Sequence, residues 1–356
     1  MMRLKGIPLD VIASLAAPRR RRLPQGPVHV FIAIADHYEP MVGGAPLSQQ
    51  MERVERWVRQ YPESLGDFRD CWGRPPRHTF FYPAEVYEPE PVERLAHLCR
   101  VGYGEVEIHL HHDNDTASNL KETLLRFADT LRSEHGLLRD GPDGRPTYGF
   151  VHGNWALDNS RPDGRWCGVD NELKVLVETG CYGDFTLPSA PNPTQTRMVN
   201  SIYYARGVDG CRKSHDRGVR SRVGVIPAPE DLLLVQGPLA LDWSRRKFGL
   251  APSLENGEIH GGFPPSCRRL ALWLNASVTV EGRENWRFIK LHTHGAKESN
   301  ADVLLGGPTC DFHQTLRRLH LADADFNYYY VTTWEMTQLI HAAECGVEQP
   351  QLELLS

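Results

Sequence analysis

The sequence predicts an α/β fold, with strands and helices alternating in packed layers. Two observations point there. From residue 27 onward, short apolar runs of strand length are separated by longer stretches with apolar residues at helical spacing. Gly and Pro punctuate the boundaries, and no internal repeat or low-complexity tract suggests a solenoid, so a layered domain fits better than a bundle or a sandwich.

The elements follow in order. Residues 28–36 read as a first strand, and residues 48–60 as a helix with Met51, Val54, Trp57 and Val58 on one face. A second strand is expected at 77–82. The helix at 90–101 is introduced by Pro89 and Pro91, carries Val92, Leu95 and Leu98, and stops at Gly102. A third strand at 105–111 leads into a long helix at 116–135 that ends at Gly136. Further strands are expected at 148–152, 183–186, 287–292 and 327–331, with helices at 171–178, 312–321 and 334–344. The helix at 171–178 starts with Asp170 as its N-cap. Residues 205–285 are richer in Gly, Pro and Arg and weaker in periodicity, which marks an insertion or elaborated loops. The division is then a tail at 1–26, one domain at 27–346 and a C-terminal tail at 347–356.

Composition narrows the function. The 356 residues include 40 Lys+Arg against 45 Asp+Glu, a net charge of −5. With no extended basic face, this argues against a dedicated nucleic-acid binder or a polyanionic substrate. Eight cysteines are scattered without a Cys-x-x-Cys pair, so reduced thiols are expected rather than a zinc ribbon or a disulfide framework. No apolar run reaches membrane-span length and the N-terminus lacks the order of a signal peptide, so a cytoplasmic protein is expected. Ile7, Leu9, Val11, Ile12 and Leu15 precede Arg19 to Arg22. This pattern suits a solvated, partly helical tail, with weak contact to an anionic membrane surface as the alternative.

The densest chemical signal runs from Glu107 to Asp115, with three histidines and several acids at one strand end. Strand alternation puts Val106, Ile108 and Leu110 on one face and Glu107, His109 and His111 on the other. In a barrel the polar face would look inward, near the C-terminal mouth where such folds assemble active sites. A late strand repeats the pattern: Ile289 and Leu291 share one face, while Lys290, His292 and His294 share the other. The first strand ends in Asp36-His37-Tyr38-Glu39 and the fourth in His152-Gly-Asn154-Trp155, so both add polar groups to the same mouth if the strands are parallel. Imidazole mixed with carboxylate and no nearby thiolate suits zinc or another divalent transition ion more than calcium or magnesium.

This order of motifs resembles the polysaccharide deacetylases, metal-dependent carbohydrate esterases that remove N-acetyl groups from chitin-like or peptidoglycan-like polymers. Asp36 falls on that family's first metal aspartate. His111 falls on the first histidine of its His-x-x-x-His motif, with Asp115 where the second would be, and the segment from Phe288 to His292 looks like its late Leu-x-x-His motif. Phe185-Thr-Leu-Pro188 sits where the family places another sugar-contacting strand. The resemblance spans most of residues 28–295. It implies a distorted, incomplete (β/α)7-type barrel of the kind shared by glycoside hydrolases and deacetylases.

It also implies a metal held by Asp36, His111 and either Asp115 or His109, with His292 as general acid tuned by His294 or Lys290. Sugar would be met by His152, Asn154 and Trp155. Ala33 and Ala35 precede Asp36 where the family carries its usual general base, which leaves Glu39, Glu107 and Asp170 as candidates. The expected activity is therefore hydrolysis of an acylated carbohydrate. The alternatives are an inactive carbohydrate-binding relative, a metal-dependent amidohydrolase or phosphoesterase, and a glycosidase of a related barrel.

Overall fold

The structure, a computed structural model, describes residues 3–4, 7–16, 26–247 and 250–355. A mostly parallel sheet of twelve strands organises it. Its main strands are β1 (Val28–His37), β2 (His78–Pro83), β3 (Gly104–Leu110), β4 (Pro146–His152), β5 (Cys181–Asp184), β6 (Ile202–Ala205), β7 (Leu232–Val235), β8 (Trp286–Thr293) and β9 (Phe326–Tyr330). The spatial order β7-β5-β4-β3-β2-β1-β8 is parallel throughout, and β6 joins antiparallel at β7.

β1 is the pivot of the sheet. β8 pairs with it from His29 to Asp36 along one edge, whereas the other edge is divided between β9 at Val28–Ile32 and β2 at Ala35–His37. The sheet curls until its far strands meet, since Lys290 on β8 donates from Nζ to the carbonyl oxygen of Phe185, just past β5, at 2.7 Å.

The connections are helical. They include α1 (Leu47–Leu65), α2 (Pro89–Leu98), α3 (Ala117–His135), α4 (Glu172–Glu178), α5 (Cys267–Ala276), α6 (Glu298–Leu304), α7 (Gly307–Ala322) and α8 (Thr333–Glu344). α1 runs five residues past its expected end because Val54, Trp57, Tyr61 and Leu65 form one buried stripe, and Pro62 is tolerated inside that last turn. α3 starts where Thr116 accepts from the Asn119 amide, and stops at Gly136, whose φ of 63° suits the left-handed C-terminal cap. Asn171 rather than Asp170 precedes α4, without a side-chain cap bond; Asp170 accepts from Asn159 Nδ2 instead.

Alternation divides the apolar side chains between two faces. Val30, Ile32, Phe80, Val106, Ile108, Phe150, Ile289 and Leu291 pack outward against Trp57, Leu95, Leu124 and Leu316 of the helices. Phe31, Ala33, Ala35, Phe81, Val151, Phe185 and Phe288 face the inside of the curl, where Met336, Leu339 and Ile340 of α8 pack on them. Glu105 fastens α8 there by accepting from Thr333 Oγ1 and the Trp334 amide while paired with Arg139.

The stretch 205–285 is in part integral to the sheet, since it supplies β7, and in part a separate hairpin of Ala240–Lys247 with Ala251–Glu255. Near the N-terminus, Val11 is buried, and Ile12 and Leu15 pack beside it against a patch of Ala190, Val199 and Leu239. Val11, Ile12 and Leu15 are thus applied to the protein itself, while Arg19 to Arg22 lie outside the described residues. Among the described residues, no helix is long and apolar enough to cross a membrane.

Candidate metal centre at the strand ends

The inward face of the sheet delivers histidines to one end. Following Ala33 and Ala35 on β1, the next inward residue is His37, with Glu39 just beyond; β3 contributes His109 and, past its end, His111; β8 contributes His292 and then His294. The rings gather closely. His37 lies 5.0 Å from His109, 4.9 Å from His294 and 6.4 Å from His292, centroid to centroid.

Glu39 is the common point. One set of ligand atoms from His37, Glu39 and His294, and another from Glu39, His109 and His111, each lie within 4.8 Å of one another. His109 Nδ1 lies 2.8 Å from the carbonyl oxygen of Val151, so it carries the proton and leaves Nε2 as a lone pair in the neutral ring. That Nε2 faces Glu39 Oε1 at 3.2 Å. His111 repeats the device, with Nδ1 2.6 Å from Glu85 and Nε2 3.5 Å from the same Glu39 oxygen. Two imidazoles anchored at Nδ1 and aimed through Nε2 at one carboxylate oxygen need a cation, either a proton or a metal ion, between the facing lone pairs. Anchoring the far nitrogen on a carbonyl or carboxylate is how metal-bound histidines are fixed.

Gly153 makes room for this. A Cβ there would collide with the His111 ring, so only glycine lets the imidazole lie against the backbone.

Electrostatics separates the groups. Burial opposes ionisation of Glu39, yet the hydrogen bond and charge of His109, with His294 and His111, hold its carboxyl down at about 2. Burial, then the neighbouring His294, His109, His292 and Lys290, holds His37 well below the usual imidazole range. Burial likewise lowers His292 and His294, while His111 is raised despite burial because Glu85 and Glu39 favour its charged form. Among the described residues, His37 Nε2, His292 Nδ1 and Trp155 Nε1 are buried without a hydrogen-bond partner, and such groups cost free energy unless something satisfies them. A donor set of imidazoles with an ionised carboxylate fits zinc or a similar divalent ion.

The sequence-expected residues divide between the two faces. His109, His111, Glu39, His292, His294 and Trp155 converge, with Trp155 6.1 Å from both His37 and His294. Asp36 does not join them. It faces outward with Ile32 and Ile34, fully buried, where its carboxylate lies 2.8 Å from His78 Nε2 and accepts from the Gly295 amide at 2.6 Å. Asp115 also lies elsewhere, 3.0 Å from His112 Nδ1.

His152, expected to meet sugar, is on the outward face of β4 beside His112 and Glu172, while half-buried Asn154 holds a left-handed φ of 56° in the turn that carries Trp155. Of the candidate bases, Glu107 is deep in the curl, accepting from the Gly149 amide and Tyr182. Asp170 bonds Asn159 away from the mouth. His37 and Glu85 were not anticipated. Alternation counted along β1 would have found His37, because Asp36 shares parity with the outward Val30, Ile32 and Ile34; Glu85, in the turn after β2, carries no sequence signal.

No protein-family model and no curated protein matches the chain. Among solved structures the chain is similar to an alpha-mannosidase from Enterococcus faecalis V583, at 9% identity and a TM-score of 0.44 over 91% of this chain. The chain spans 30% of that enzyme's length.

Proposed function

We propose that the protein is a metal-dependent hydrolase of acylated carbohydrates that removes N-acetyl groups from an amino-sugar polymer or glycan. In this reading the curled sheet is an incomplete (β/α)7-type barrel with its active site at the C-terminal ends of the strands. The observation that carries the proposal is the convergence of His109 and His111 on Glu39, with His37 and His294 on the other side of the same carboxylate.

His109, His111 and Glu39 would hold the ion, which supplies Lewis acidity and a water of lowered pKa when bound. Glu39 thereby passes from general-base candidate to ligand, because both imidazoles engage its carboxylate. With Ala35 where the family resemblance places a base, the proton work falls to His294 and His292. Burial keeps both rings neutral, so a ring nitrogen of His294 accepts the proton of the attacking water and returns it to the leaving nitrogen as the C–N bond breaks. His292 lies directly beneath on β8, and burial with the nearby Lys297 disfavours a resting cation on His294. Trp155 offers a flat apolar face for a sugar ring, with its indole N–H free among the described residues to bond a hydroxyl.

The test is acetate release from N-acetylglucosamine oligomers by purified protein loaded with zinc or another divalent transition ion. Turnover that a chelator abolishes and His111→Ala reduces at least about a hundredfold supports the proposal, in line with the loss expected when a metal site is dismantled. Tight sugar binding without acetate release, or release of phosphate from an aryl phosphate, overturns it.

A further inference from the structure

A second cluster of metal-binding side chains lies behind the first, on the outward face of the strand ends. His112 follows His111 but turns the opposite way. It meets His152 at the end of β4, Glu172 in the first turn of α4 and Cys167 in the loop between them. The four come from three separate stretches of chain, and His152, Cys167 and Glu172 are fully buried.

Their geometry is that of a closed coordination shell. His112 Nε2 lies 2.9 Å from His152 Nε2 and 3.1 Å from Glu172 Oε1, and His152 Nε2 is 3.4 Å from the same oxygen. Cys167 Sγ is 3.5 Å from the other Glu172 oxygen, and one ligand atom from each of the four residues lies within 4.8 Å of every other. Zinc bonds of about 2.0–2.3 Å put tetrahedral ligand atoms about 3.3–3.8 Å apart; the separations of His112 from His152 and Glu172 fall short of that range, and that of His152 from Glu172 lies within it.

The outer ring of contacts matches as well. His112 Nδ1 is anchored on Asp115, which also accepts from Asn119 Nδ2 and the Thr116 amide, and His152 Nδ1 is anchored on the carbonyl oxygen of Gly153. The Val169 amide donates to Cys167 Sγ at 3.4 Å, as amides do to ligating thiolates. A competing arrangement exists in which one proton on His112 Nε2 bridges to His152 and Glu172. It leaves the thiol with long contacts to Glu172 and the Val169 carbonyl beside His112, whereas a tetrahedral ion uses all four donors.

We propose that His112, His152, Cys167 and Glu172 form a structural zinc-type site, distinct from the centre around Glu39. Two imidazoles, a thiolate and a carboxylate fill four positions and leave none open for substrate, which marks a structural rather than a catalytic ion. Bound there, the ion ties the ends of β3 and β4 to α4. It also fixes the turn after His152 that places Trp155 over the mouth.

The test uses the full-length protein and does not depend on turnover. Zinc X-ray absorption of the wild type should show a sulfur scatterer at about 2.3 Å with nitrogen and oxygen at about 2.0 Å. Cobalt(II)-substituted protein should show a thiolate-to-metal charge-transfer band, which the thiolate-free Glu39 centre cannot produce. Cys167→Ala should lose that band and one equivalent of metal, while His111→Ala keeps the band. This outcome holds whether or not the Glu39 centre binds metal, so the two readings fail separately. Wild type with no sulfur at the metal, or with a band that survives Cys167→Ala, overturns the proposal; if Cys167→Ala does not fold, the wild-type spectra decide it.

Discussion

Replacing Asp36 distinguishes the placement seen in the structure from the ligand role implied by the family resemblance. The carboxylate is fully buried between β1 and Trp57, takes the Gly295 amide at 2.6 Å and sits 2.8 Å from His78 Nε2. Asp36→Ala strands both partners in a dry environment. Leaving a buried donor unmade costs about 1–3 kcal/mol, and two are stranded here, so a loss of about 3–5 kcal/mol, the middle of the summed range, is expected. At roughly 2 °C per kcal/mol, the low end suited to a chain of this size, Tm should fall by roughly 6–10 °C.

Asp36→Asn keeps an acceptor for the Gly295 amide and should lose roughly half as much. The assay is thermal unfolding beside elemental analysis of the folded fraction, in which metal bound at the Glu39 centre should be retained. A variant that melts with the wild type but has lost that metal would refute the reasoning and restore Asp36 as a ligand.

Glu39→Gln should weaken metal binding at the mouth at least about tenfold by competition titration while leaving the Cys167-dependent cobalt band in place. Burial pushes the Lys290 ammonium from its ordinary 10.5 down to about 7, with Asp184 opposing. The folded state therefore binds fewer protons than the unfolded chain between those values, and stability is lost as pH falls from about 10.5 to 7. Lys290→Met should be the more stable protein in urea titrations, by on the order of 5 kcal/mol at pH 7 and by little near pH 10.5; a pH-independent gap would contradict this account. Arg269→Met should cost about 3–5 kcal/mol, because it leaves the Glu255 carboxylate buried without its cation, and adding Glu255→Leu should recover most of the loss in the same denaturation assay. Gly295→Ala should lower both Tm and metal affinity at the mouth, since its Cβ would strike the Asp36 carboxylate and the Trp57 ring and displace the adjoining His294.

Alternation was the most informative sequence signal and also marks where the reading stopped. It placed Val106, Ile108 and Leu110 against the helices and Glu107 and His109 inside, as observed, because a strand covered on one face by helices must sort its side chains with period two. The same period on β1 selects His37, whereas the family motif falls on Asp36, one residue away and therefore on the opposite face. Helices with strong apolar stripes and clear caps, such as α3, were legible from their residues.

β6 and β7 were not, because Ile202–Ala205 and Leu232–Val235 are short and lie in or beside a stretch dominated by Gly, Pro and Arg, where length alone cannot separate strand from loop. α5, inside that stretch, was missed for a similar reason, and α6 is too short to show a helical period. Cys167 could not be paired with His112 from spacing, because they stand 55 positions apart with α3 and β4 between them, and only the fold brings them together.

The divided edge of β1 bears on how the molecule is made. This strand precedes its partners β8 and β9 by a long stretch of chain, and the bond between Asp36 and the Gly295 amide spans 259 positions. His37 and Glu39 therefore wait for His294 until that stretch has been made, with the edge facing β8 unpaired and the other edge held only by β2 at Ala35–His37. Such distant parallel pairing is slow and exposes the nascent chain to aggregation, so the mouth around Glu39 is among the last parts of the protein to take shape.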